Sequence, residues 1–255
     1  MYEPTGKTLV TRDDLVRGLH EIGLQAGDLV QVHSSLSALG YVDGGAEAVV
    51  DALLEVAGPR GTIMVPTFNH GTVELYDSAT TASTNGAVTE AVRRRAGAKR
   101  SLHPTHPYAA IGPLAEELTA EHLELTTFDS RSPLGKLADR GGWVLLLGVG
   151  MDTNTAAHIG ETLANAPCMG YREAPYQVRM PDGSLITAFS VIWRDGPCLI
   201  EWAPLETTMR TRDMIRDGRI GDGHVMLMRA KDVVAVTFEL AQELCHQCTT
   251  RPKRY

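Results

Sequence analysis

The sequence predicts an α/β protein: a central, mostly parallel sheet flanked by helices, with a β-hairpin-containing C-terminal part. Three observations carry this. Short apolar runs that read as strands (Leu29 to His33, Thr62 to Val65, Trp143 to Leu147) alternate with stretches of helical spacing. The first two runs are joined by a loop and a helix, the connection of a parallel crossover. After Pro167 the pattern changes to two strand-like runs about the turn Pro181-Asp-Gly183.

Each element has a local reason. Thr11-Arg-Asp-Asp14 reads as an N-cap with an acidic first turn, and Leu15, Leu19 and Ile22 follow at helical spacing. Gly27-Asp28 is a turn before the first strand. The loop Ser34 to Gly45 leads into an apolar helix, Ala46 to Ala57, which Gly58-Pro59 ends. Pro66 stops the strand Thr62 to Val65. The Thr-rich stretch Asn69 to Asn85 has no periodicity and is long for a plain connection, so it reads as a functional loop. Gly86 to Arg95 is helical, Arg100 to Pro107 is a Pro-rigid loop, and Tyr108 to Ile111 is a strand. Pro113 opens a helix to His122. After the strand Trp143 to Leu147, Gly148 to Asn154 is a loop and Thr155 to Ala164 a helix. Tyr176 to Met180 and Leu185 to Trp193 form the hairpin; Leu205 to Ile215 and Ala230 to Cys245 are helical. No linker or repeat divides the chain, so one domain over residues 1–255 is expected.

Composition narrows the function classes. Among 255 residues, 31 acids face 24 bases for a formal charge of −7, which argues against a generally basic, nucleic-acid-binding surface. The longest apolar run, Trp143 to Met151, falls well under the roughly 18 residues of a membrane span. Met1 to Lys7 has no apolar signal core. A soluble cytoplasmic protein is the expectation, with no membrane or nucleic-acid partner and the oligomeric state open. Four cysteines give no disulfide framework, and the lone Cys245-His246-Gln-Cys248 lacks a second pair for zinc. No metal is expected.

The segment Gly148 to Glu161 carries the most chemistry. Thr155, His158 and Glu161 recur at a spacing of three, which places them along one helix face near its N-terminus. A histidine near its ordinary pKa takes a proton at neutral pH, a nearby carboxylate fixes its tautomer, and helix amides favour negative charge. The same spacing also suits an ordinary helix with a polar outer face. Val32 to Leu36 follows a strand and could form an anion nest or a plain Ser-rich turn. His103-Pro-Thr-His106 would need a further ligand to hold a metal. No Gly-x-Gly-x-x-Gly, Walker A or Gly-x-Ser-x-Gly pattern is present.

Five segments in order resemble one family. They are His33-Ser-Ser-Leu-Ser-Ala-Leu-Gly40 with Gly44-Gly45; Met64-Val-Pro-Thr-Phe68; Arg100-Ser-Leu-His-Pro104 with Ala109-Ala-Ile-Gly112; Ser132-Pro-Leu-Gly135; and Leu145-Leu-Leu-Gly-Val-Gly150 with Asn154-Thr-x-x-His158-x-x-Glu161. Together, from about residue 10 to 240, they resemble the aminoglycoside 3-N-acetyltransferases. The resemblance implies the antibiotic-acetyltransferase fold, distinct from the GNAT fold, and acetyl-CoA as cosubstrate. It implies coenzyme A contacts at His33, Ser34, Ser35 and Leu36, at Ser101 and His103, at Arg131 and Ser132, and at Gly148 and Val149. It implies His158 as general base, Glu161 as its orienting partner and Thr155 as oxyanion donor. Thr67 and Asn69 would line the acceptor side, and Glu74, Asp77, Glu201 and Glu206 are candidates to face the amine by region only.

That amine would be the 3-amino group of a 2-deoxystreptamine aminoglycoside. Two departures from the family pattern concern the acceptor side. The family's longer, Trp-containing segment after Pro-Thr is here the short stretch Asn69 to Ser83, and His106-Pro107-Tyr108 replaces a Ser-Phe or Ser-Val step. Alternatives are the same fold and cosubstrate with another amine, a non-catalytic acyl-CoA-binding protein, or a metal-dependent hydrolase using some of the nine histidines.

Overall fold

The computed structural model describes residues 6–166, 172–192 and 202–245. Strand β1 (Leu9–Val10) precedes helix α1 (Arg12–Glu21), whose Thr11 and Asp14 form a reciprocal capping box. Strand β2 (Leu29–Ser34) follows, then a short 3-10 turn and β3 (Tyr41–Val42), which pairs with β1. Helix α2 (Gly45–Ala57) and strand β4 (Thr62–Pro66) complete the crossover. Next come β5 (Leu75–Asp77), α3 (Ala87–Arg94), β6 (Lys99–Arg100), β7 (Tyr108–Ile111) and α4 (Ala115–Thr119). Then follow α5 (Pro133–Asp139), β8 (Trp143–Leu147) and α6 (Ala157–Leu163). The chain continues through β9 (Arg172–Arg179), β10 (Leu185–Ile192), α7 (Trp202–Thr211), β11 (Arg216–Ile220), β12 (Gly223–Arg229) and α8 (Ala230–Leu244).

Seven strands form the central sheet in the order β11-β12-β8-β2-β4-β7-β6. The expected crossover is there: β2 is parallel to both β4 and β8. The sheet is mixed, however, because β12, β11, β7 and β6 join antiparallel on the two flanks. The C-terminal hairpin β9–β10 forms a separate three-stranded sheet with β5, a strand inside the stretch read as loop.

Successive strand residues point to opposite faces, and this divides the core. Val30, Val32, Ile63, Val65, Leu145 and Leu147 pack with α1, α2 and α3 on one face. Leu29, Met64, Tyr108, Ala110, Val144 and Leu146 pack with α4 to α8 on the other. By the same alternation Gln31 and His33 of β2 share the face of Leu29. They lie under α6, which the sequence marks as the chemically active helix.

Helix α6 is held tightly against α8. A Cβ at Gly160 would stand 2.5 Å from the Val234 carbonyl oxygen and 2.7 Å from the Thr237 Cβ. Gly160→Ala should therefore cost about 2 kcal/mol by overpacking. Thermal unfolding should show a drop of several degrees; an unchanged melting temperature would mean that the helices separate freely.

Candidate active site

The ends of β2 and β8 lie side by side, and their continuations form one edge of the site. The Ser35 amide donates to the Leu147 carbonyl at 3.0 Å. Gly148 has φ +71, and a Cβ there would approach the Ser35 carbonyl oxygen at 3.1 Å and the Ala38 Cβ at 3.0 Å. Only glycine enters this left-handed region without strain. The two segments expected to hold coenzyme A, Ser34 to Leu36 and Gly148 to Val149, are thus brought together and remain half-buried.

His158 and Glu161 sit on α6, both buried, with Nδ1 and Oε2 2.7 Å apart. The His158 ring packs 4.7 Å from Phe128 and 5.3 Å from Trp202, centroid to centroid. Thr155 lies two residues ahead of the helix rather than on it, since α6 starts at Ala157. The turn that carries Thr155 is tied to the first turn of α6, where the His158 amide donates to the Thr155 carbonyl at 3.2 Å. Gln31 Nε2 donates to Thr155 Oγ1 at 3.1 Å, and His33 Nε2 lies 3.3 Å from the same oxygen.

Neutral imidazoles surround this centre. Burial, assisted by the neighbouring His158, pushes His33 down to about 3. Burial also pushes His103 down to about 3 and holds His106 and His122 well below the ordinary histidine range. His106 packs 4.6 Å from Phe68 and 5.7 Å from Phe128, forming an aromatic wall that leads to His158. Among the described residues no group of three or more His, Cys, Asp or Glu side chains could hold a metal ion.

Several polar residues expected to face a ligand serve the scaffold. Ser101 Oγ accepts from the Tyr108 amide at 2.9 Å and lies 2.9 Å from His122 Nδ1, in the interior. His103 is fully buried; its Nδ1 accepts from the His106 amide at 2.9 Å, and its ring stacks on His122. Ser132 caps α5 by accepting from the Gly135 amide at 3.3 Å. Thr67 Oγ1 donates to the Pro107 carbonyl at 2.9 Å and accepts from Arg100 Nε at 2.9 Å. Asn69 Nδ2 donates to the Pro104 carbonyl at 2.8 Å, and Asn69 Oδ1 accepts from the Gly71 amide at 2.8 Å. Such loops must satisfy their buried polar groups, and these side chains do so.

The charged candidates divide in the same way. Arg131 is exposed and paired with Asp129 at 2.9 Å. Its neighbouring cavity also carries Lys136, Glu121, Glu124 and Asp139, so acids outnumber bases beside the residue expected to meet a phosphate. Asp77 accepts from the Ala79 amide at 2.8 Å and lies 3.4 Å from Arg179. Glu206 pairs with Arg210 at 2.8 Å, and Glu74 is exposed. Glu201 lies outside the described residues. Sequence reasoning missed Gln31, Phe68, Tyr108, Phe128 and Trp202. Only Gln31 carried a signal, as a polar residue two positions before His33 in an otherwise apolar strand.

A buried imidazole–carboxylate pair has the chemistry that proton transfer uses, and a hydroxyl that which oxyanion stabilisation uses. The family model for aminoglycoside 3-N-acetyltransferases matches residues 31–242. The chain is 34% identical to aminoglycoside N(3)-acetyltransferase VII of Streptomyces paromomycinus, over 88% of this chain and 89% of the relative. It is 33% identical to aminoglycoside N(3)-acetyltransferase VIII of Streptomyces fradiae, with the same coverage. The crystal structure of aminoglycoside acetyltransferase AAC(3)-Xa superposes with a TM-score of 0.85 at 31% identity, covering 92% of this chain and 93% of that one. AAC-IIIb in binary complex with CoASH superposes with a TM-score of 0.83 at 25% identity, covering 97% and 100%. AAC-VIa bound to sisomicin superposes with a TM-score of 0.80 at 28% identity, covering 92% and 98%. The chain is an acyltransferase, and it belongs to the aminoglycoside 3-N-acetyltransferase family.

Proposed function

We propose that this acyltransferase moves the acetyl group of acetyl-CoA directly to the 3-amino group of a 2-deoxystreptamine aminoglycoside. The observation that carries the reading is the buried 2.7 Å contact between His158 Nδ1 and Glu161 Oε2. A carboxylate accepting at Nδ1 fixes the proton there and leaves the Nε2 lone pair to take a proton from the attacking amine. The amine nitrogen bonds to the thioester carbonyl carbon, and the carbonyl oxygen becomes an oxyanion that Thr155 stabilises. The C–S bond then breaks, and the leaving thiolate takes the proton from His158. A thioester has a good leaving group, so positioning, base catalysis and oxyanion stabilisation suffice without an enzyme nucleophile.

The chain's own residues fit the cosubstrate at the joined turns Ser34 to Leu36 and Gly148 to Val149. The close approach at Gly148 keeps these two segments in contact. A narrow thioester arm laid along this edge would bring its carbonyl toward Thr155. Support also comes from the relatives, whose structures include one with CoASH and one with sisomicin.

Free-thiol release from acetyl-CoA, measured with aminoglycosides that have or lack a 3-amino group, tests this. Release restricted to the 3-amino compounds is expected. One observation favours a second reading, in which another amine is the acceptor. The wall near His158 is aromatic and imidazole, and Asp77 and Glu206 are engaged with arginines elsewhere. Silence across the panel, with CoA raising the melting temperature, would favour that reading. Silence without any CoA effect would reject acetyl transfer.

A further inference from the structure

We propose that Gln31 and His33, with Tyr108 closing the cluster, are positioning residues that aim the Thr155 hydroxyl proton at the developing oxyanion. This rests on the reading of Thr155 as oxyanion donor. It moves His33 from the coenzyme A contacts implied by its motif to the support of the reacting centre.

A threonine hydroxyl has one proton to donate and two lone pairs to accept with. The Gln31 amide nitrogen can only donate, so at 3.1 Å it occupies one lone pair of Thr155 Oγ1. His33 Nε2 lies 3.3 Å from the same oxygen. With its proton on Nε2, a neutral His33 fills the second lone pair. The Thr155 proton then has no acceptor in β2; it is left for the side facing the Tyr108 hydroxyl and the reacting centre, where an oxyanion is the stronger acceptor. A donor fixed in this way needs no reorganisation when charge develops, which is the basis of oxyanion stabilisation. Burial keeps His33 neutral over the working pH range, so the arrangement does not titrate away.

Two of the five buried side-chain atoms without a hydrogen-bond partner among the described residues belong to this cluster. Gln31 Oε1, on the amide bound to Thr155, is buried without a hydrogen-bond partner. The Tyr108 hydroxyl, which faces Thr155 from β7, is also buried and makes no hydrogen bond of good geometry. Leaving a buried polar group unsatisfied is costly, and such groups call for an explanation beyond packing. The sheet order explains how they meet. Strand β2 supplies Gln31 and His33, β7 supplies Tyr108, and the turn after β8 supplies Thr155.

The test compares His33→Gln, which keeps a side-chain donor, with His33→Phe, which does not. Each is made alone and combined with Thr155→Val. His33→Phe is expected to lower kcat about 10-fold or more, a fraction of the 10²-fold scale of a lost oxyanion donor. The KM for acetyl-CoA should stay within about two-fold, His33→Gln should recover most of the rate, and His33→Phe should add nothing in the Thr155→Val background. A rise in that KM with kcat preserved would make His33 a cosubstrate contact and overturn the inference. A Thr155→Val variant with full turnover would overturn the oxyanion reading itself. A large Thr155→Val loss that His33→Phe still multiplies would overturn only the inference. Nitrogen-15 NMR of His-labelled enzyme reads the same point without turnover. The His33 signal, identified by its loss in His33→Gln, should report the Nε2–H tautomer; the Nδ1–H tautomer would overturn the inference.

Discussion

Replacing His158 with alanine should lower turnover by about 10²-fold or more while leaving acetyl-CoA binding largely intact. The ring is where the attacking amine would lose its proton, and the segments expected to hold coenzyme A lie on the turns after β2 and β8. Thiol release and CoA-induced thermal stabilisation, measured on the same preparation, separate the two effects. The substitution also leaves Glu161 buried without its 2.7 Å partner, so some loss of stability is expected beside the loss of rate. His158→Gln, which keeps a polar group near Glu161, should recover stability without recovering rate. Near-normal turnover of a folded His158→Ala enzyme would remove His158 from the role of base. Thr155→Ala should cost less, because nearby amides can substitute for its hydroxyl.

Glu161→Gln should be the second large effect, about 10²-fold or more in kcat, although it changes shape hardly at all. The carboxylate can only accept, so His158 must carry its proton on Nδ1. A glutamine amide can instead donate to Nδ1 and turn the imidazole to the tautomer whose Nε2 is already protonated. The equivalent carboxylate-to-amide change in a serine protease triad costs about 10⁴-fold for that reason. The effect should fall on kcat, with the KM for acetyl-CoA held. A Glu161→Gln enzyme with unchanged kcat would show that the carboxylate serves packing only.

Much of the fold was legible because it repeats a local pattern. Leu29 to His33, Thr62 to Val65 and Trp143 to Leu147 are short apolar runs, and each became a central strand. The helix after Thr11 was legible from its cap and the helix after Gly45 from its apolar periodicity. Strand β11 was not, because Arg216-Asp-Gly-Arg-Ile220 is polar and lies at the sheet's edge. An edge strand draws its order from a neighbour rather than from its own composition. The helix Pro133–Asp139 was visible only as a motif, since seven residues give too little periodicity to read.

The candidate site divides along the same line. The spacing of His158 and Glu161 is local, so the sequence by itself determined that pair. It also determined the α/β class and the family, through the order of five motifs. Whether a polar loop residue faces a ligand or the interior is not local. Ser101, His103, Thr67 and Asn69 sit in motifs, yet their side chains satisfy backbone and imidazole partners inside the protein. Only the tertiary structure decided that, as it decided that Thr155 meets Gln31 and His33 from more than a hundred residues away in the chain. Strand pairing in the order β8-β2-β4-β7 places those side chains together. The physical reason is that a strand's pattern fixes which of its residues share a face, whereas its neighbours fix what that face meets.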